Sequence, residues 1–396
     1  MPPLLAPEAA LEMMLEALEP LTEQEYLPLA QLSGRILAQT LLAPIDVPPA
    51  DQSSMDGYAL RLADARQPLP VSQRITAGHP PQPLQAQTCA RIFTGAEIPP
   101  GADLVVMQEQ VTQDQQGRVS FPSELQLQQN IRPRGQALQT GNPLVSKGTR
   151  LDYRHLGLLA SVGLDAAPVL RKPRVALLAT GDELVDPGQP LQPGQIYNSN
   201  RPLLQGLLES LGVEVVMAEP VADTLEATQK ALLEAATQAD LIVSSGGVSV
   251  GEEDHIKPAV EHLGQLHLWK LAMKPGKPVA FGSIGQASFL GLPGNPVSVF
   301  VGAQIFLRPL LAKLSGLNQD APPQLLQGRA HFSARTQVRQ EYLRVQARLE
   351  NQAWQVYAHP KQDSGVLSSV VWANALAVIP PQSQLEPGDS VSFQFF

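Results

Sequence analysis

A glycine-rich run at residues 244–251, Ser-Ser-Gly-Gly-Val-Ser-Val-Gly, has the clearest chemical use in this sequence. Glycines let several backbone N–H groups converge on one anion, and serine hydroxyls add further donors. The run therefore predicts an anion cradle that includes Ser244, Gly246, Gly247 and Ser249. The alternative is a tight turn after a strand. Without a Gly-Lys-Ser/Thr or Gly-x-Gly-x-x-Gly motif, ordinary nucleotide hydrolysis and nicotinamide binding have weak support.

Three lysines, Lys270, Lys274 and Lys277, crowd a proline-stiffened segment. They are conspicuous because the chain has 37 acidic and 28 basic residues, a formal net charge of -9. An acidic protein needs a local cationic pocket to hold an anion, and this segment is the natural candidate. Exposed lysines that merely decorate a strand end are the alternative.

Two further loops carry candidate groups. The turn at residues 291–296 contains Pro293 and Pro296, which fix its shape and leave N–H groups free to face an anion, although it could be a purely structural turn. Asp182 and Glu183 follow a predicted strand, where carboxylates could bind Mg²⁺ or position water. A helix cap followed by a solvated acid is the competing account of that pair.

These loops require elements to position them. Strands are predicted at residues 175–179, 213–218 and 241–245, and helices at residues 203–211, 223–238, from 255 and from about 297. Asn200 is a possible cap of the first of these helices and Gly212 its stop. Strands alternating with helices predict a mainly parallel, three-layer α/β sheet, with its ligand site at the carboxyl ends of the strands.

The remaining segments have a different texture. Helical spacing predicts helices at residues 8–18 and 23–42, short broken runs from 45 to about 140 predict a β-rich part, and alternating runs near the end predict a small β-barrel. The prediction is a multidomain α/β plus β protein of four units. They are an N-terminal helical or linking domain (1–50 and 140–172), an inserted β-rich domain (51–139), an α/β domain (173–318) and a C-terminal β-barrel domain (322–396).

Composition limits the classes of function. With 43% hydrophobic residues, no apolar run judged long enough to cross a bilayer and no export signal in residues 1–10, we expect a soluble cytoplasmic protein. The negative charge argues against a broad nucleic-acid surface. Cys89, the single cysteine, excludes an internal disulfide and is interpreted as a small buried apolar side chain. Asp56 and Gly57 alone could be a hairpin turn, and the same caution covers Thr94.

Seven motifs occur in order along the chain: SSMDGYA at 53–59, FTGA at 93–96, NIRPRG at 130–135, TGDEL at 180–184, SSGGVSVGE at 244–252, KPGKP at 274–278 and GLPGNP at 291–296. Together they closely resemble the MoeA family, to which the gephyrin E domain also belongs. Each motif is weak alone, but seven in order over about 240 residues are highly specific. The C-terminal unit resembles the family only loosely.

The resemblance implies an elongated four-domain homodimer with an α/β domain of the molybdopterin-binding type. Its site would lie between the α/β and C-terminal domains of one subunit and the β-rich domain of the other. The implied reaction inserts molybdate into molybdopterin adenylate and releases AMP. Carboxylates that face such anions require a cation, so we expect Mg²⁺ as cofactor. Molybdopterin adenylyltransferase and apo molybdoenzymes are the implied partners, without nucleic acid or membrane.

Site residues carry over by motif. The implied catalytic residues are Asp56, Glu183, Asp223 and Asp254, of which the last three would bind Mg²⁺. The implied substrate contacts are Thr94, Ser244, Gly246, Gly247, Ser249, Lys270, Lys274, Lys277, Pro293, Pro296, Arg339 and Ser364. Asp56 and Thr94 would come from the partner's β-rich domain.

One departure from the family pattern stands at residues 135–137, which read Gly-Gln-Ala where the family usually reads Gly-Glu-Asp. An acidic residue is therefore missing at Ala137, and a catalytically impaired paralogue, a preference for tungstate or a scaffold that binds adenylated molybdopterin is the alternative. Molybdopterin adenylyltransferase and CinA-type deamidases share the α/β unit by resemblance. Both lack the Ser-x-Met-Asp-Gly domain and the three-lysine loop.

Overall fold

The continuous apolar run before Thr180 forms the strand Arg174–Thr180, the second strand in the order of a seven-stranded sheet. The structure is a computed structural model, and it describes residues 4–217, 220–222, 224–248, 255–318 and 325–396. The sheet has the order Glu214–Met217, Arg174–Thr180, Leu241–Ser245, Ala287–Leu292, Pro278–Ile284 and Gly264–Lys270, with Pro220–Val221 also paired to Arg174–Thr180. The last two strands in this order run antiparallel to their neighbours and the others pair in parallel, which confirms the mainly parallel sheet.

Helices cover both faces of this sheet because successive side chains of a strand point to opposite faces. Val175 and Leu177 pack in one apolar cluster with the helices Asn200–Ser210 and Pro7–Glu16, and Ala176 and Leu178 pack in another. The second cluster includes the helices Leu225–Gln238 and Ile256–Leu263. A short pair, Leu184–Val185 with Ile196–Tyr197, lies beside the sheet.

The helical segment Pro296–Leu314 comprises Pro296–Gly302, a π-helical stretch Ala303–Leu307 and Arg308–Leu314. The segment is long and apolar enough to cross a bilayer, with a mean hydropathy of 1.5 over a window of bilayer-spanning length. The expectation that the chain has no apolar run of this length is therefore wrong. However, 67% of that window is buried inside the protein, where its side chains contribute to the main apolar cluster. Core packing accounts for its apolar character.

Residues 23–42, for which helical spacing predicts a helix, form no α-helix in the structure. Gln24–Pro28 is a strand that pairs with Ala166–Leu170, followed by a 3₁₀ turn at Leu29–Gln31 and the strand Leu41–Leu42. Pro28 has no N–H for a helix interior, and the partner strand lies some 140 residues away, so helical spacing misled the prediction. The remaining elements here are the strand Pro143–Val145, which pairs with Leu41–Leu42, and the helix Tyr153–Ser161.

The β-rich part contains a four-stranded sheet in the order Val71–Ile75, Cys89–Ile92, Gly57–Leu60 and Leu104–Met107. Two small pairs join it, Gln52–Ser53 with Ile131–Arg132 and Thr112–Gln113 with Val119–Ser120, together with 3₁₀ turns at Leu62–Asp64 and Gln108–Gln110. Cys89 is fully buried, as predicted, and burial raises the pKa of its thiol to about 12.

The C-terminal part is a closed barrel, as predicted. Its strands follow one another around the barrel as Gln340–Glu350, Ala353–Ala358, Leu326–Ala330, Ser390–Phe395 and Ala375–Ile379, and the last pairs with the first. The helix Ser368–Trp372 and the pair Ala334–Arg335 with Gln384–Leu385 complete it. Met273–Lys274 from the α/β part adds to Gln340–Glu350 in parallel. This ladder joins the barrel to the lysine segment.

Candidate functional site

A cleft of about 850 Å³ lies where the α/β part meets the barrel. It is lined by Thr180, Gly181, Glu183, Gly246, Gly247, Val248, Lys274, Pro275, Gly276, Lys277, Pro278, Pro293, Gly294, Asn295, Ser298, Arg339, Gln362, Asp363 and Ser364. Three of the contributing loops follow parallel strands that end in register, since Ala179 pairs with Ser245 and Ser245 with Leu292. The cleft therefore occupies the carboxyl edge of the sheet, where the strand pattern predicts a ligand.

The glycine pair of the predicted cradle adopts a backbone that L side chains avoid. Gly246 and Gly247 have φ values of +94° and +67°. A Cβ on Gly247 would lie 2.5 Å from Cγ1 of Ile256 and 2.9 Å from Oγ1 of Thr180. The N–H of Gly246 donates to the carbonyl of Leu292 at 3.0 Å, so this amide ties two loops together and does not face a ligand. Glycine is needed here for close packing of the loops.

The first turn of the Pro296–Leu314 helix opens on the cleft through Asn295 and Ser298. Its neighbours fix it: Nδ2 of Asn200 donates to the carbonyl of Gly294 at 2.7 Å, and the N–H of Val297 donates to the carbonyl of Ser364 at 3.0 Å. A helix N-terminus carries partial positive charge and favours anions. The loop 293–295 and the barrel thus hold an anion-favouring helix end at the cleft.

Cationic side chains enter the cleft from two directions. Lys274 and Lys277 come from the lysine segment and Arg339 from the barrel. Nζ of Lys274 lies 3.1 Å from Oε1 of Glu341, whose side chain is only 17% exposed, so a largely buried carboxylate orients this lysine. Three cations around one cleft suit a multiply charged anion in an otherwise acidic protein.

Eight of the sixteen predicted site residues line this cleft: Glu183, Gly246, Gly247, Lys274, Lys277, Pro293, Arg339 and Ser364. Pro296 lines an adjoining cavity of about 300 Å³ that shares Thr180 and Glu183 with the cleft. Two other predicted contacts do not line the cleft. Ser244 is fully buried inside its strand because alternation points it into the sheet packing, and Lys270 is exposed at the end of Gly264–Lys270 without lining the cleft.

Asp56 and Thr94 form a fixed pair in the β-rich part. The backbone N–H and the hydroxyl of Thr94 each donate to Oδ1 of Asp56 at 2.8 Å. These bonds, the backbone one first, hold the pKa of Asp56 below its usual value. Asp56 therefore does not only occupy a turn; its carboxylate also accepts two hydrogen bonds from Thr94. Neither side chain lines the cleft of its own chain.

Three predicted residues, Asp223, Ser249 and Asp254, lie outside the described residues. Within the described ranges, no group of three His, Cys, Asp or Glu side chains is placed to hold a metal ion. Glu183 does line the cleft, and a Cβ at Gly181 would lie 2.5 Å from its Oε2. The backbone thus leaves room for this carboxylate beside the predicted phosphate site.

The sequence reasoning did not choose several residues that line the cleft, among them Asn295, Ser298, Gln362 and Asp363. Asn295 lies inside the GLPGNP motif, which could have indicated it. Gln362 and Asp363 directly precede Ser364, and no periodic pattern marks them. The pairing of Glu341 with Lys274 depends on the parallel ladder between distant segments, which the sequence does not show.

Comparisons with known proteins agree along the chain. Residues 5–163 match the family described as the MoeA N-terminal region (domain I and II), residues 176–313 the probable molybdopterin binding domain, and residues 329–396 the MoeA C-terminal region (domain IV). A solved molybdopterin biosynthesis MoeA protein from Pyrococcus horikoshii superposes with a TM-score of 0.86 at 30% identity, covering 99% of both chains.

Curated relatives are similar over most of the chain. A Haemophilus influenzae protein named molybdopterin molybdenumtransferase is 45% identical over 324 residues, 81% of this chain and 79% of its own. A Nostoc protein of the same name is 37% identical over 372 residues, 90% of this chain and 85% of its own. On this agreement of sequence and fold, the chain belongs to the MoeA family.

Proposed function

We propose that this protein is a molybdopterin molybdenumtransferase that inserts molybdate into molybdopterin adenylate and releases AMP. The observation that carries the proposal is the cleft at the carboxyl edge of the sheet, where two lysines, an arginine and a helix N-terminus converge. Curated relatives that bear the name of this activity cover most of the chain. The finer features, namely AMP release, Mg²⁺ and the homodimer, are part of the same proposal.

The substrates account for the charge of the cleft. Molybdate and the pyrophosphate of an adenylated pterin are both anions, so Lys274, Lys277 and Arg339 gather them against the net negative field of the protein. Glu341 keeps the ammonium of Lys274 at a fixed place. Held in this way, molybdate and the adenylated pterin lie beside each other in one cleft, which lowers the entropic part of the barrier.

We further propose that Mg²⁺ is held by Glu183 together with Asp223 and Asp254. Carboxylate oxygens are the ligands that Mg²⁺ prefers, and it normally completes its shell with phosphate oxygens and water. The carboxylate of Glu183 lines the cleft, which supports its part of the assignment. When bound, the ion would supply charge neutralisation at the phosphates and an activated water.

The proposed active unit is a homodimer in which Asp56 and Thr94 of a second copy complete the site. The pair is held rigidly and does not line the cleft of its own chain, which supports a role toward another copy. In the proposed cytoplasmic setting, molybdopterin adenylyltransferase supplies the substrate and apo molybdoenzymes receive the product. Neither nucleic acid nor membrane has a part in this proposal.

The reaction is tested with purified protein, molybdopterin adenylate and Mg²⁺, with and without molybdate. AMP is quantified together with reactivation of an apo molybdoenzyme. We expect AMP and reactivation to require molybdate, and AMP release to fall when EDTA removes Mg²⁺. Tight adenylate binding without turnover would reject the transferase and identify a scaffold.

The shared site is tested by mixing two variants that we expect to be strongly impaired, Asp56→Asn and Lys274→Ala. If one copy supplies Asp56 and the other supplies Lys274, a mixed dimer contains one site that carries both substitutions and one site that carries neither. We expect activity to reappear on mixing, at up to about a quarter of the wild-type level when half of the dimers are mixed. Activity that stays absent in verified mixed dimers would place both residues in one chain's site.

A further inference from the structure

We infer that Arg344 is a positioning residue of the cleft, because it holds residues 362–364 in the place from which they line the cleft. Arg344 itself does not line the cleft. The inference rests on the proposed function, since it concerns the same cleft, and it assigns a role to a side chain in the barrel that the sequence analysis did not single out.

The guanidinium of Arg344 is fully buried in the middle of the strand Gln340–Glu350. Its Nε donates to Oγ of Ser369 at 3.0 Å, and its Nη2 donates to the carbonyl of Asp363 at 3.2 Å. Nη1 has no hydrogen-bond partner within the described ranges. Burial lowers the pKa of Arg344 to about 10, so the group stays charged at neutral pH.

A buried charge with an unpaired donor is a poor source of stability, since an apolar side chain of similar size would fill the same space without the desolvation cost. The two hydrogen bonds of the Arg344 side chain both reach the segment that follows residue 361. An arginine at this position is better explained by the segment that its side chain holds in place than by a contribution to the stability of the barrel.

The same segment is bound to Arg344 a second time through the backbone. The N–H of Arg344 donates to Oε1 of Gln362 at 3.0 Å, and Nε2 of Gln362 donates back to the carbonyl of Arg344 at 2.9 Å. Oγ of Ser369 in turn donates to the carbonyl of Val366 at 2.6 Å. Residues 362–369 therefore wrap around one residue of the barrel strand.

The wrapped segment reaches the substrate cleft directly. Gln362, Asp363 and Ser364 all line it, and the carbonyl of Ser364 accepts the N–H of Val297 in the first turn of the helix that opens on the cleft. A shift of the Asp363 carbonyl would move Ser364 and disturb this bond. Arg344 thus transmits the position of the barrel strand to the anion-binding end of the helix.

The test compares Arg344→Met with Arg348→Met. Arg348 lies on the same strand, is exposed and stacks over the ring of Tyr357 at 5.5 Å, so it controls for loss of a guanidinium. Molybdate-dependent AMP release is measured at varied substrate concentrations well below the melting temperature, and hydrogen exchange is followed at residues 359–369.

For Arg344→Met we expect kcat/KM to fall about tenfold to a hundredfold, as for loss of charge-assisted hydrogen bonds, with faster exchange at residues 362–369. Arg344→Lys, whose ammonium can reach one of the two acceptors, should recover part of the loss. Arg348→Met should match the wild type. If Arg344 only stabilised the fold, Arg344→Met would have a lower melting temperature but unchanged kcat/KM and unchanged local exchange.

The inference would be overturned if a folded Arg344→Met variant had the kcat/KM and the local hydrogen exchange of the wild type. It would also be overturned if Arg348→Met lost as much kcat/KM as Arg344→Met. If Arg344→Met fails to fold, Ser369→Ala removes only the acceptor of Nε. It should raise local exchange and lower kcat/KM about threefold to tenfold, and no change in either would also overturn the inference. If the wild type itself released no AMP in response to molybdate, the proposed function would be rejected. Hydrogen exchange at residues 362–369 would then show whether Arg344 still holds this segment in place.

Discussion

The cleft and the β-rich part hold their polar groups in opposite ways. The cleft is assembled from loops at 180–183, 246–248 and 293–295, from the lysine segment at 274–278 and from the barrel, so its groups meet only because distant segments pack together. Asp56 and Thr94 instead flank two neighbouring antiparallel strands, Gly57–Leu60 and Cys89–Ile92, and bond to each other. Substitution in the cleft should therefore affect both assembly and binding, whereas substitution of the pair should affect function with little effect on the fold.

The largest effect should come from Lys274→Ala and Lys277→Ala. Each removes a cation from the cleft, and we expect kcat/KM for molybdate-dependent AMP release to fall about a hundredfold in each variant. Lys230→Ala, on the exposed side of the helix Leu225–Gln238, is the matched control and should leave turnover unchanged. Equal turnover in all three variants would remove the cationic cleft from the mechanism.

Gly247→Ala should come next, through assembly of the cleft. Its Cβ would meet Ile256 and Thr180 at a positive φ, so we expect a loss of about 2–4 kcal/mol in the free energy of unfolding, measured with urea. Gly34 has a similar φ of +78°, but a Cβ added there would meet open space. Gly34→Ala should therefore lower the free energy of unfolding by only about 1 kcal/mol. Similar losses in the two variants would show that crowding at the cleft is unimportant.

Asp56→Asn should have a smaller, pH-dependent effect on stability. Because the pKa of Asp56 is lowered in the folded protein, ionisation stabilises the fold above the unfolded carboxyl pKa of about 4, and this stabilisation is lost as the pH falls through the folded pKa. The wild type should melt above the variant at pH 7, and the difference should shrink below pH 4. Thr94→Val, which keeps the backbone donor, should show part of the same trend.

A difference that does not change with pH would show that the pair is not held together by the ionised carboxylate. The measurement is a series of thermal melts of the three proteins between pH 7 and the lowest pH at which they stay folded. Catalysis is measured in parallel at pH 7, where the comparison of the two regions predicts a large functional loss in Asp56→Asn beside a small change in melting temperature.

The smallest effect concerns the core of the β-rich part. Cys89 is fully buried and its pKa is raised to about 12, so at pH 8 we expect its reaction with a thiol reagent to be at least about a thousandfold slower than in the unfolded chain. The rate is followed by mass spectrometry with and without denaturant. Fast reaction in the native protein would mean that this part opens readily and cannot hold Asp56 and Thr94 rigidly.

How much the sequence predicts depends on whether the determining contacts are local. The strand Leu241–Ser245 was predicted within its observed bounds because a continuous apolar run suits a strand buried on both faces. Residues 23–42 were predicted as helix because the pairing of Gln24–Pro28 with Ala166–Leu170 is a long-range contact. The domain boundaries stay a prediction.

The site followed the same rule. Motif residues such as Gly246, Lys277 and Pro293 reach the cleft because their loops follow strands or join them. Ser244 was misplaced because the direction of a side chain depends on the exact register of its strand, and one residue reverses it. The contribution of Gln362 depends on a loop wrapped around a residue 18 positions away, which no local pattern reveals.

The parallel ladder between Met273–Lys274 and the start of Gln340–Glu350 has a consequence for motion. Backbone hydrogen bonds make the lysine segment and the barrel one mechanical body at this point, and the N–H of Gln340 also donates to the carbonyl of Ala272 at 2.9 Å. A hinge rotation of the barrel would therefore carry Lys274 with it. If the barrel moves during the catalytic cycle, we expect Lys274 to move with it, so that the cleft would open between this lysine and the loops at the ends of the parallel strands.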